Sequence, residues 1–235
     1  MDKHQQLQQY LQQYPQAVSQ VVNLNPVQDR LLRFNFTEAN TRLSADDIAH
    51  TPTFSHWVTQ QLQQNNCRYG IGGYMEHRTL YGRSALFNTE AGEPRRLHLG
   101  VDIWAPAGTP VYAPLRGTVH SFKNNAGFGD YGPTIILEHN LNGLTLFSLY
   151  GHLNLECLTG LQQGMPIAQG QQTAVFGTEE ENGDWPPHVH FQLMFDMQEL
   201  TGDYPGVCRY SEREVYQQNI PDPELILQFK RATII

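Results

Sequence analysis

Residues 97–104, Leu97-His98-Leu99-Gly100-Val101-Asp102-Ile103-Trp104, alternate with a period of two, a pattern that an extended chain satisfies and a helix does not. In such a chain His98, Gly100 and Asp102 share one face and Leu97, Leu99, Val101 and Ile103 the other, so that an apolar face is backed by a polar pair. A second alternating run, His188-Val189-His190-Phe191-Gln192-Leu193, offers two more imidazoles from a single face. Neutral imidazole and carboxylate both ligate divalent metals, and two strands can thus aim four metal-competent groups at one place. Four residues of ideal strand span roughly 13 Å, too far for His98 and Asp102 both to reach an ion that holds its ligand atoms at about 2.1 Å. The chain must bend between them, and Gly100 sits where the bend is needed. His188 and His190 lie only about 6.6 Å apart along a strand. One can bind an ion while its neighbour acts on substrate or water.

The rest of the chain limits what surrounds these strands. Its 235 residues, 40% of them hydrophobic, suffice for one well-filled core plus an accessory segment. A formal charge of -8, with 15 scattered Lys and Arg, excludes the clustered basic face of a nucleic-acid binder. The start, Met1 to Leu7, has no apolar h-region or small-residue cleavage site, and no apolar run reaches the length of a membrane span, which reads as a cytoplasmic protein. Cys67, Cys157 and Cys208 are odd in number and widely spaced, as expected of free, partly buried thiols.

Helical signals fill the first part. Leu7, Tyr10, Leu11 and Tyr14 stand at helical spacing until Pro15, giving an amphipathic helix whose first role is a surface element and whose lesser roles are a dimer contact or a cover over the site. Ser44-Ala45-Asp46-Asp47 looks like a helix start. Thr51-Pro52 opens another helix, with Phe54, Trp57, Val58 and Leu62 on one stripe and Asn65-Asn66 at its end. From about residue 68 to 196 short β-type runs are separated by Gly, Pro and Asn. Two strands, Thr109 to Ala113 and Gly117 to Phe122, flank Pro114-Leu115-Arg116, and Asn142-Gly143 is the strongest hairpin signal. That hairpin delivers Tyr150-Gly151-His152 to a rim. Pro186-Pro187 stiffens the approach to His188. After Phe195 come turn residues, a helix around Glu212 to Gln218, and a last apolar stretch, Leu225-Ile226-Leu227.

Together, His98-x-x-x-Asp102, Tyr150-Gly151-His152 and His188-x-His190, set in Gly100-Val101-Asp102-Ile103-Trp104-Ala105-Pro106-Ala107-Gly108-Thr109-Pro110-Val111 and His190-Phe191, resemble the lysostaphin-type (LytM-like) zinc metallopeptidases over about residues 95 to 195. The resemblance implies a mainly β fold, a compact antiparallel β-sheet or β-sandwich core of the duplicated hybrid motif type, placed here in 68–235; the helical N-terminal extension (1–67) and the short C-terminal helical segment are read from the chain's own patterning, and the first of these is not part of the shared core. It implies Zn2+ held by His98, Asp102 and His190, with His152 and His188 activating water and steadying the transition state. Three protein ligands leave a tetrahedral ion one open position, and an imidazole of ordinary pKa, about 6.5, suits the proton transfers of peptide hydrolysis. Which of His152 and His188 acts as base stays open. The implied substrate is a peptide or muropeptide, and the implied enzyme a metalloendopeptidase of bacterial cell-wall-type peptides. Gly70 to Val101 and the late Pro-Asp-Pro also resemble a metallopeptidase-like module of multidomain proteins with class III aminotransferase-like and kinase-like parts, which implies a cytoplasmic peptide or small amide instead.

Two other classes fit part of the pattern. Two His and a carboxylate also suit a non-haem iron(II) oxygenase, but its spacing is His-x-Asp and it leaves two histidines unexplained. A non-catalytic or autoinhibited regulatory module would keep the metal and occlude it with the first 65 residues. His4, His50, His56, His77, His120 and His139 are assigned no role; Tyr131 and Tyr150 are read first as packing and second as lining the cleft, and Glu76, Arg78 and Arg83 first as a solvated surface ahead of the site and second as substrate contacts.

Overall fold

The computed structural model describes residues 1–88 and 92–235; the β-rich reading of 68–196 therefore includes three positions outside the described residues. The first segment holds α1 (Lys3–Gln13), β1 (Arg30–Arg33), α2 (Ala45–Ala49) and α3 (Thr51–Gln64). Then follow β2 (Tyr69–Gly72), β3 (Leu97–His98), β4 (Val101–Trp104), β5 (Pro110–Tyr112), β6 (Gly117–Asn125), β7 (Gly132–Leu141) and β8 (Leu144–Gly151). The remainder is β9 (Pro166–Ile167), β10 (Gln172–Val175), β11 (His188–Met194), β12 (Val207–Cys208), α4 (Arg213–Asn219), α5 (Glu224–Leu227) and β13 (Thr233–Ile234).

Nine strands form one sheet in the order β13-β1-β2-β4-β11-β8-β7-β6-β9. From β2 to β9 every pairing is antiparallel, and β1 alone runs parallel to its neighbours β2 and β13. The fold is mainly β, as expected, with a mixed edge that the helical reading of residues 1–67 did not anticipate: Leu31, Leu32 and Phe34 stand in or beside a strand of the main sheet. The β7–β8 hairpin turns on Asn142 (φ 55°) and Gly143 (φ 95°), the two left-handed positions of a two-residue turn that matches strand twist. β5 and β6, adjacent in sequence, part company. β6 joins the main sheet while β5 pairs with β10.

The alternation at 97–104 is likewise divided. β3 pairs with β12 in a small sheet of its own and β4 pairs with β2 and β11, with the chain bending at Gly100 between them. Leu97 and Leu99 consequently pack with Leu149, Ile136 and Met194, whereas Val101 and Ile103 join Val189, Phe191, Leu31 and Ile71 in the largest core. Leu7 of α1 is fully buried in that same core, with Tyr10 and Leu11 against it, so the apolar stripe of α1 is covered by its own chain. A third apolar cluster joins Phe34, Phe36, Phe54, Val58 and Leu62 to Trp104 and Trp185. A capping box between Ser44 and Asp47 starts α2. Cys67, Cys157 and Cys208 are free. Among the described residues no helix is long and apolar enough to cross a membrane.

Candidate metal centre

Asp102 on β4 and His190 on β11 are direct cross-strand partners, and the bend at Gly100 returns His98 to the same spot. His98 Nε2 lies 2.9 Å from His190 Nδ1 and 3.2 Å from Asp102 Oδ1, and His190 Nδ1 lies 3.0 Å from Asp102 Oδ1. Glycine makes this approach feasible. A Cβ on Gly100 would fall 2.6 Å from the His190 ring, one on Gly72 would meet Trp104 and Arg78, and one on Gly151 would meet Tyr131.

Each of the three groups is oriented from behind. His98 donates Nδ1–H to the Gly73 carbonyl (3.0 Å), which leaves Nε2 as the lone pair. Gln192 donates its amide to the Pro205 carbonyl, so its Oε1 accepts from His190 Nε2–H (3.0 Å) and the Nδ1 lone pair faces inward. Arg78 Nη1 donates to Asp102 Oδ2 at 2.5 Å, leaving Oδ1 for the centre. Three acceptors thus converge with no proton between them. That arrangement is unfavourable for the acceptors alone and favourable around a cation. Their mutual spacings come close to the edge, roughly 3.4 Å, of a tetrahedron around an ion with ligands at about 2.1 Å. The donor set therefore fits zinc with one open position, and among the described residues this is the group of His, Cys, Asp and Glu that could hold an ion.

His152 and His188 stand beside this triangle with their rings 4.1 Å apart. His188 donates Nδ1–H to the Pro186 carbonyl (2.7 Å) and His152 to the Asn182 carbonyl (2.8 Å), so each keeps Nε2 as a base. His188 Nε2 is 4.0 Å from Asp102 Oδ1, and Trp104 stacks on its ring. His152 lies just past β8 at φ 62°, a left-handed conformation in which its own backbone N–H reaches the Tyr131 carbonyl.

Burial dominates the electrostatics. It pushes His98 and His188 down to about 4 and His152 well below its ordinary value, so all three are neutral near pH 7. Burial alone would raise Asp102, but His98 and Arg78 outweigh it and hold the carboxyl well below the usual carboxylate range. The triangle opens on a cleft of about 310 Å³, walled by Phe54, Tyr81, Phe87, Tyr131, Trp185 and Leu200, with Arg95, Asp130 and Asp203 among its polar groups.

The expected site residues His98, Asp102, His152, His188 and His190 all lie together. One expectation is corrected, and the two readings of the tyrosines divide between them. Arg78 is no solvated residue: it is 1% exposed, because Asp102 and Glu76 neutralise it and Phe36 and Trp104 cover its faces. Tyr131 lines the cleft, its hydroxyl 3.4 Å from His190, whereas Tyr150 packs on Phe191. Gln192 and Phe54 also belong to the site. Gln192 shares the face of His188 and His190 by alternation, a signal present in the sequence, but nothing local ties α3 to the cleft.

Residues 96–201 match the family model Peptidase family M23. The chain is 30% identical over 112 residues to the peptidoglycan DD-endopeptidase ShyA of Vibrio cholerae, covering 43% of this chain and 23% of that protein. It is 32% identical over 108 residues to the DD-carboxypeptidase/endopeptidase Mpg of Neisseria meningitidis, covering 45% and 22%. The chain thus spans about a quarter of the length of these relatives. Solved structures similar to it include a zinc containing peptidase from Vibrio cholerae (28% identity, TM-score 0.34, 42% of this chain and 27% of that one) and the catalytic domain of lysostaphin from Staphylococcus simulans (21%, TM-score 0.40, 74% and 97%).

Proposed function

We propose that this protein is a zinc metalloendopeptidase that hydrolyses an amide bond in peptides of the peptidoglycan kind. One observation carries the reading: three inward lone pairs, from His98, Asp102 and His190, sit at the head of an apolar cleft with two further basic nitrogens alongside. The peptidoglycan substrate named for the relative from Vibrio supports the choice of peptide.

His98 Nε2, Asp102 Oδ1 and His190 Nδ1 would hold zinc, which when bound acidifies a water towards about pH 7 and polarises a carbonyl. The remaining work falls to the chain. His152 and His188, neutral near pH 7, present Nε2 to the same space, and one of them takes the proton of the attacking water. A proton held at that Nε2 is then available to the developing oxyanion or the leaving amine. The aromatic walls keep bulk water from the reacting groups. We read residues 68–235 as the catalytic unit and residues 1–67 as its buttress, because Phe54 of α3 walls the cleft and Phe34 packs edge-on against Trp104.

Elemental analysis with a panel of muropeptides and Gly-rich peptides tests the proposal. One zinc per chain and cleavage within at least one of these peptides are expected. Purified protein without stoichiometric zinc, or hydrolysis that survives His190→Ala, would refute it.

A further inference from the structure

Among the described residues Arg78 is the largest side chain that the fold buries fully, and its surroundings are specific. Nε donates to Glu76 Oε2 at 2.7 Å and Nη1 to Asp102 Oδ2 at 2.5 Å, while the Tyr81 hydroxyl lies 3.3 Å from the same Nη1. The two faces of the guanidinium are covered by Phe36 (5.5 Å) and Trp104 (5.7 Å). Gly72 leaves the room for this stack, since a Cβ there would come within 2.6 Å of Nη2. Glu76 is itself tied to the first segment by accepting from the Phe36 backbone N–H. Arg78 therefore cannot swing, and neither can the oxygen it holds.

We infer that Arg78 is a positioning residue for the metal: by occupying Oδ2 it makes Asp102 a one-oxygen ligand, and Phe36 keeps it in that pose. The inference rests on the zinc reading above and assigns a task that the three ligands cannot perform themselves. A carboxylate with both oxygens free can rotate and clasp an ion through two contacts, which raises the coordination number and fills the position that a substrate needs. A buried guanidinium that donates Nη1–H to one oxygen, with Nε held by Glu76, removes that alternative, and a lysine point charge would not be fixed by two carboxylates in the same way. Residues 30–40 thereby acquire a function at the centre although none of them reaches it: Phe36 acts through Arg78, and Arg78 through Asp102.

Metal binding by the intact chain tests this without recourse to activity. In the cobalt(II)-loaded wild type, strong visible absorption bands of a four-coordinate ion are expected. Arg78→Met should bind zinc about 10–100-fold more weakly in competition with a chromophoric chelator, the usual loss on removing a group behind a ligand. Its cobalt bands should weaken as the freed carboxylate turns to two-oxygen binding. Phe36→Ala removes one face of the stack and neither charge, and should show both effects in smaller measure. It decides the matter if Arg78→Met does not fold by circular dichroism. Unchanged zinc affinity and cobalt spectra in the folded variants, or a five-coordinate wild-type spectrum, overturn the role of Arg78 and leave the zinc site standing. A wild type that binds neither ion removes the site and this inference with it.

Discussion

The fold buries histidines in two settings with opposite surroundings. His139, within β7, is fully buried, and both of its nitrogens are matched: Nδ1 to the Arg116 carbonyl at 2.9 Å and Nε2 to the Ser148 hydroxyl at 2.7 Å, with the Tyr150 hydroxyl 3.0 Å further on. At the centre, His98 and His190 each satisfy one nitrogen outward and turn the other against a second acceptor. His139, His98 and His190 are all buried, so burial does not mark a site. What marks it is a lone pair with no donor, repeated three times within hydrogen-bonding distance. His139 shows how matched hydrogen bonds offset the burial of an imidazole, and the centre departs from it in a way that a bound cation relieves.

The sharpest way to break this contrast is to remove a ligand. His190→Ala or Asp102→Ala should lower zinc content from one per chain to near none and abolish hydrolysis, whereas His139→Ala should keep its zinc; elemental analysis separates them. Next in size, His152→Ala and His188→Ala should retain zinc yet lose about 10²–10⁴-fold in kcat. Equal rates with and without these rings would leave them as packing only. Zinc itself should stabilise the native state by about 4 kcal/mol at a thousandfold excess over its Kd, read as a rise in Tm that a chelator reverses and that Asp102→Ala lacks.

Acid should act on both groups in the zinc-free protein. The folded chain holds His139, His98 and His188 near 4, below the ordinary 6.5, mainly through burial. The unfolded chain thus takes up more protons between these values. Their stabilisation is complete above pH 6.5 and is lost as the pH falls towards 4, with His139 worth up to about 3 kcal/mol. Denaturant titrations at pH 7 and pH 4.5 measure the fall. Bound zinc should blunt the part due to His98, while the His139 part should persist.

The sequence made the centre legible because strand alternation and glycine are local signals. His98, Asp102, His188 and His190 follow from two runs of period two, and the bend at Gly100 follows from the length of an extended chain set against the reach of an ion. What was illegible is long-range. Arg78 looked like any polar surface residue because its partners Phe36, Asp102 and Trp104 are distant in sequence, and burial of a guanidinium depends on all of them at once. Pairing of β1 with β13 joins residue 30 to residue 233, and no periodicity encodes such a choice. The free thiols and the hairpin at Asn142-Gly143 were readable for the reverse reason, since composition and a two-residue turn suffice.

His152 carries a backbone shape that L-residues with side chains avoid, at a cost of order 1–3 kcal/mol. A glycine there would adopt it without strain and would leave no imidazole. The His152 imidazole is what offsets that cost: the ring donates to the Asn182 carbonyl and packs on His188 and Tyr131, so His152→Gly would relieve the strain and forfeit those contacts. The ring that stands beside the centre is thus also the anchor of its own backbone, and a change to either disturbs the other.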